Sequence, residues 1–214
     1  MSKLSVTKTL FTCASLLVVT GTVNAQGLSA NVYFGLGTAT DSSNGQQINT
    51  FSDGTTYSTP EVTGLFGDTG ASLTFNEHWG VGGEFAWRLA QGSYAGLSYR
   101  PEIYDFNAIW QPAGHRYKRF VPEVQVGVGG ADVRYYADSS SCSAFLGCSS
   151  SSQFLASSDH FQVHASLAAR FYVTPHIFLR PAVDAHWVNN FSQFGSNWVP
   201  QYTLGAGYTF GGER

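Results

Sequence analysis

From residue 202 to residue 210 the chain reads YTLGAGYTF, in which Tyr, Leu, Ala, Tyr and Phe alternate with Thr and Gly. A repeat of two residues places one chemical class on each face of a β-strand and cannot be wrapped onto one side of a helix. Seven further runs alternate in the same way, near 28 to 37, 62 to 75, 80 to 90, 99 to 111, 119 to 135, 159 to 173 and 177 to 188; the last runs from 197 to 210. Each is long for a strand of a globular protein and suits a tilted strand of about 9–11 residues crossing a bilayer.

The connections between these runs alternate in length. Residues 38 to 61 and 136 to 158 form long segments, 91 to 98 and 189 to 196 medium ones, and 76 to 79, 112 to 118 and 174 to 176 short turns. In an up-and-down barrel, odd-numbered connections share one end and even-numbered ones the other. Short periplasmic turns opposite longer extracellular loops are the asymmetry of outer-membrane barrels, and they put both termini on the periplasmic side. The short turns carry Pro, Gly or Asn, in NEHWG, QPAGHRYK and VTPHI. The long segments are rich in Ser, Asn, Gly and Thr and suit solvent.

Two faces are also found in soluble barrels, so the content of each face decides. One set holds Phe34, Leu36, Leu73, Val81, Phe85, Phe106, Val126, Leu167, Leu179, Leu204 and Phe210 among its members, and none of the set is charged. The alternate set is glycine with mixed charges, and Lys118 is the one lysine after residue 25. About thirty large side chains cannot share the interior of an eight-stranded barrel, which barely holds side chains at all. The apolar face is therefore the lipid surface and the polar face the interior. Aromatic residues fall at both ends of the runs, as two interfacial girdles require: Phe75, Trp110, Phe120, Phe171, Tyr208 and Phe210 at one, Trp87, Phe161, Trp187 and Trp198 at the other.

Composition agrees. Only 12% of the 214 residues are charged, 15% are aromatic and 24 are Gly, whereas charged residues make up about a quarter of an ordinary soluble domain. A net charge of -3 gives no basic excess for nucleic acid. Residues 1 to 25 read as a secretory signal peptide: Lys3 and Lys8, the short apolar run LFTCASLLVV, and Val23-Asn24-Ala25 before a cut at Gln26. The barrel domain is then residues 26 to 214. In the oxidising compartment that this implies, Cys142 and Cys148, set among serines, are expected to form a local disulfide.

The pattern over residues 27 to 210 resembles the small eight-stranded outer-membrane β-barrels, the family that contains the barrel domain of outer membrane protein A. This implies an all-β, antiparallel, up-and-down transmembrane barrel located in the cell outer membrane and surrounded by its lipid. The segment TLGAGYTF resembles the terminal signal read by the outer-membrane assembly machinery, with Thr203, Gly205, Tyr208 and Phe210 in its positions; GGER runs on beyond the final aromatic.

Parity puts Asp68, Glu84, Asp105, Glu123 and Asp184 inside with Arg88, Arg170 and Arg180. Charges in such an interior must pair or accept hydrogen bonds, so a network plugging the bore is expected. A turn centred on Pro175 sets His164 opposite His186 and Ser166 opposite Asp184. It also sets Arg170 against Arg180, which requires an acid nearby. Two histidines fall short of the four ligands of a closed metal site and are expected to be hydrogen-bonded interior residues, with no metal or cofactor. His164-Ala165-Ser166 is similar to the His-x-Ser pair of outer-membrane lipid A deacylases, but parity turns both side chains away from the acyl chains.

The function expected is non-enzymatic: envelope structure or surface contact through the extracellular loops, with the extracellular partner unknown. The alternatives are a narrow pore gated by the interior charges and a lipid A-modifying enzyme.

Overall fold

A computed structural model describes residues 28–41, 47–49, 52, 54–114, 119–143, 147–191 and 194–211. The signal segment, Lys118 and residues 212–214 lie outside the described residues. Eight strands dominate: β1 (Ser29–Ala39), β2 (Gly64–Thr74), β3 (Trp79–Arg88), β4 (Leu97–Trp110), β5 (Phe120–Ser143), β6 (Gly147–Tyr172), β7 (Ile177–Val188) and β8 (Trp198–Gly211). Each pairs antiparallel with the next, and β8 returns to β1, from Ser29↔Gly211 to Ala39↔Gln201. The fold is a closed eight-stranded antiparallel barrel. Closure matters physically, because an open sheet edge in hydrocarbon would leave a row of unsatisfied amides and carbonyls.

The exterior is as the alternation predicts. Phe106, Leu167 and Leu204 are 71%, 65% and 60% exposed, and Phe34, Leu65, Val81, Val126, Val183 and Phe210 also face outward. The periplasmic girdle is assembled from neighbours on adjacent strands: Trp79 with Trp110 at 6.4 Å and Phe120 with Phe171 at 4.9 Å. Trp187 and Trp198 are cross-strand partners at the other interface. Leu204, opposite Leu36 in mid-barrel, makes this surface testable. Leu204→Arg is expected to lower stability by about 2–4 kcal/mol, the usual loss for a cation at the bilayer midplane. Ser151→Arg, on the exposed serine ladder, should be nearly neutral; equilibrium unfolding in lipid vesicles measures both.

Three connections carry strand structure of their own. The serine-rich segment 136 to 158 is mostly strand: β5 and β6 stay paired out to Ser143↔Gly147. Serine carries no hydrophobic alternation, so a ladder held by backbone and hydroxyl hydrogen bonds leaves no such signal. The segment 38 to 61 holds a short ladder, Gln47 with Ser58 and Ile48 with Tyr57, and Gly92–Tyr94 folds back on the start of β4.

Inside, the bore is filled in three layers. At the periplasmic end Val121, Tyr172 and Phe178 pack with Tyr33. The middle is polar, with Glu123, Arg170, Arg180, Asp105, His164 and Asp184 all buried. The extracellular mouth is apolar again, a cluster built on Phe66, Tyr99, Ile103, Val133, Phe191 and Phe194.

Candidate functional site

The polar layer begins with the pair that the short turn anticipates. His186 lies opposite His164 and Asp184 opposite Ser166, while Leu179↔Phe171 and Ala182↔Ala168 bracket Arg180 and Arg170. Two guanidiniums side by side need a shared anion, and Glu123 of β5 supplies it: Oε1 is 2.6 Å from Arg170 Nη2 and Oε2 is 3.5 Å from Arg180 Nε. Gln111 donates to the same Oε1 at 2.7 Å. Glu84 of β3 reaches Arg180 Nη2 from across the barrel at 2.6 Å, and the Arg180 guanidinium lies 4.4 Å over the Tyr33 ring. Phe178 carries Arg170 in the same way at 5.3 Å.

Above the arginines the donors change. His164 Nδ1 faces Asn107 Oδ1 at 2.9 Å and Asp105 Oδ1 at 3.5 Å, and Nε2 faces Asp184 Oδ1 at 3.3 Å. Asn107 in turn donates to Asp105. These contacts join β4 to β6 across the intervening β5, which is possible because β5 presents Gly127 and Gly129 there. A Cβ on Gly127 would collide with the Asn107 carboxamide, and one on Gly129 with the Tyr104 carbonyl. The His186 ring stacks on His164, centroids 4.7 Å apart.

Seven of the eight charged residues singled out in the sequence thus share this middle layer. Arg88 does not: it lies at the extracellular mouth, donating to the Glu61 carbonyl at 2.9 Å and sitting 5.6 Å from the Tyr99 ring. Its role there is to tie the preceding loop down. Tyr99 Oη accepts from Glu61 N at 2.8 Å, and Val62 N donates to Asp41 at 2.5 Å, which leaves Val62 1% exposed under the loop.

On the other side of the mouth Asn190 and Gly195 take left-handed φ values of 56° and 74°, turning the β7–β8 connection inward. Phe191 and Phe194 then stack at 4.2 Å over the bore. The apolar lid was not anticipated from sequence. Its signal was a set of large apolar residues of interior parity, Phe66, Tyr99, Ile103 and Val133.

Beyond the lid, β5 and β6 continue as a two-stranded ribbon. β4 leaves it at Ser98↔Tyr136 and β7 at Val188↔Gln162, so no other described strand pairs with Ala137–Ser143 or with residues 149 to 159. At about 3.3 Å per residue the ribbon projects about 20 Å beyond β4. A β-bulge pairs Tyr135 with Ala156 and Tyr136 with Phe154, leaving Leu155 without a partner. Phe154 and Leu155 are 53% and 50% exposed there. Polar groups hold the ribbon: Ser139 and Ser151 hydroxyls meet at 2.8 Å, and Ser98 donates to Asp138. The Ser98 and Ser152 hydroxyls hold the Asp138 carboxyl below its ordinary range. The backbone ladder sets Cys142 opposite Cys148; their side chains lie outside the described residues.

Thr203 and Gly205 face the interior of β8, Tyr208 and Phe210 the exterior, in the strand that closes the barrel. His164 and Ser166 are both buried inside, 0% and 2% exposed.

No known protein-family profile matches the chain, and no curated protein matches its sequence. Among solved structures it is similar to the outer membrane protein OprG from Pseudomonas aeruginosa, with a TM-score of 0.53 and 16% identity, over 86% of this chain and 97% of that one. It is likewise similar to Ail, the attachment invasion locus protein of Yersinia pestis, solved in complex with the heparin analogue sucrose octasulfate. There the TM-score is 0.52 at 15% identity, over 86% of this chain and 99% of that one. The likeness is one of fold: the small eight-stranded outer-membrane barrel. With an apolar belt around its whole exterior, a barrel of this fold resides in the cell outer membrane.

Proposed function

We propose that this chain is a non-enzymatic outer-membrane protein whose bore is sealed and whose working surface is the extracellular ribbon of β5 and β6. The observation that carries this reading is the ribbon itself, whose two outer backbone edges pair with no other described strand and lie clear of the membrane beside exposed Phe154 and Leu155. Such edges accept an extended partner segment by strand addition, the ladder supplying affinity and the neighbouring apolar side chains specificity. The partner chemistry that fits is an extended, weakly charged peptide segment of another surface protein. The polyanion found with Ail does not fit, since residues 137 to 158 contain no Lys or Arg and one acid, Asp138.

A Cys142–Cys148 disulfide would stiffen the ribbon. Directly opposed residues of an antiparallel pair have Cα atoms about 4.5–5.5 Å apart, within the span a disulfide bridges. Assembly would proceed through the closing strand with Thr203, Gly205, Tyr208 and Phe210, and lipid would be the barrel's other partner. The bore, filled at all three levels, supports neither conduction nor a lipid-facing nucleophile.

The test is to remove residues 138 to 152 and rejoin Ala137 to Gln153 through an Asn-Gly turn. Cells bearing the intact chain should adhere to one another or to a protein-coated surface, and cells bearing the shortened chain should not. Both proteins should keep the heat-dependent gel shift of a folded barrel; equal adhesion would sink the proposal.

A further inference from the structure

Five carboxylates (Asp68, Glu84, Asp105, Glu123 and Asp184) share the polar layer with two guanidiniums, Arg170 and Arg180. Glu84 and Glu123 take up both arginines, and no ion pair joins Asp68, Asp105 or Asp184 to an arginine or lysine among the described residues. A small cavity of about 10 Å³ lies at this level, lined by Asp68, Glu84, Asp105, Asp184, His186 and Gln201 among others, with no cationic side chain in its wall. That is room for one ion or one water. His186 is 3% exposed and lines the cavity beside Gln201, and neither ring nitrogen reaches full hydrogen-bond geometry with a partner among the described residues.

From this geometry we infer that the bore holds a divalent transition metal ion of the Zn²⁺ class, with Asp105, Asn107, His164 and His186 as its ligands. The ligand atoms of Asp105, His164 and His186 lie within 4.8 Å of one another. Zinc at about 2.1 Å from tetrahedral donors sets those donors about 3.4 Å apart. His164 Nδ1 is 3.5 Å from Asp105 Oδ1, and Asn107 Oδ1 lies 2.9 Å from the same nitrogen. The other ring nitrogen of His164 donates to Asp184 Oδ1 at 3.3 Å, the carboxylate contact that commonly orients a metal-bound imidazole. The stacked His186 ring has to turn about its broad ring torsion to converge on the ion; of the four ligands Asp105 and His186 line the cavity, and His164 and Asn107 reach the ion from beside it. Two histidines alone are a poor site; the barrel register adds the oxygens that complete four ligands. This inference is independent of the ribbon's role.

The experiment is equilibrium dialysis of the refolded chain in detergent micelles against Zn²⁺ at neutral pH, with metal per chain read by elemental analysis. About one Zn²⁺ per folded barrel is expected, lost in His186→Ala and in Asp105→Asn. The heat-dependent gel shift verifies that each variant folds. Where a variant does not fold, X-ray absorption of the wild-type Zn²⁺ form decides, since two imidazoles and two oxygens should surround the metal. No retained zinc, zinc retained equally by folded His186→Ala, or a coordination shell without imidazole would overturn the assignment; charge balance by protons alone corresponds to the first of these.

Discussion

Glu123→Gln is expected to lower the stability of the folded barrel by about 3–5 kcal/mol, the loss usual when one partner of a buried ion pair is removed. Glu123 is fully buried and is the anion shared by Arg170 and Arg180. The substitution keeps the side chain's shape but leaves Arg170 without a carboxylate and Arg180 with Glu84 alone. The comparison is Arg134→Ala. Arg134 pairs with Glu102 at 3.1 Å and Asp132 at 3.0 Å, but its side chain is 44% exposed on the outer face above the lipid belt. Its partners Glu102 and Asp132 are only 10% and 11% exposed, so that variant leaves two shielded carboxylates that water can still reach and should lose about 1–3 kcal/mol, less than Glu123→Gln. Denaturant unfolding followed by tryptophan fluorescence measures both, and a loss below about 1 kcal/mol for Glu123→Gln would mean that the shared anion is not what holds the two arginines.

The second large effect concerns the apolar lid. Phe194→Ala removes a fully buried ring stacked on Phe191 and edge-on to Tyr99 at 6.3 Å. A loss of about 3–5 kcal/mol is expected for such a truncation. Despite the open mouth, the variant should pass no steady current in a planar bilayer, because the Arg180–Glu84–Glu123 layer still closes the bore beneath it. Current is expected only when both barriers are removed, in a chain carrying Phe191→Ala and Phe194→Ala together with Glu84→Ala and Arg180→Ala. Steady current through the wild-type protein would refute the sealed bore.

Much of the fold was legible in advance because two constraints act on every strand at once. The bilayer demands apolar groups on one face, and the closed ladder demands that all eight strands obey the same parity; hence Tyr202, Leu204 and Phe210 could be assigned outward and Thr203 and Gly205 inward. The tight turn at Pro175 carried register information too, since a three-residue connection leaves little slack, and it correctly set His164 against His186. The arginine conflict was equally visible there, though its resolution was not. Glu123 is on β5, and which level of the bore it reaches depends on how β5 is staggered against β6. The same stagger puts Gly127 and Gly129 where Asn107 and Asp105 need space to reach His164.

The extracellular half was least legible. Phe191 and Phe194 sit in a connection whose composition reads as solvated, and they are buried only because the mouth of this barrel is wide enough to admit them. The ribbon of β5 and β6 left no periodic trace because serine serves either face of a strand equally well.

By itself, then, the sequence determined strand number, strand direction, the face each residue takes and the compartment, because these follow from period, connection length and the solvent on each side. Only the tertiary structure decided which interior charges meet, what seals the mouth and where the ladder runs on past the membrane. Those outcomes depend on stagger and on contacts between residues far apart in the chain, and a period of two says nothing about height along the barrel axis.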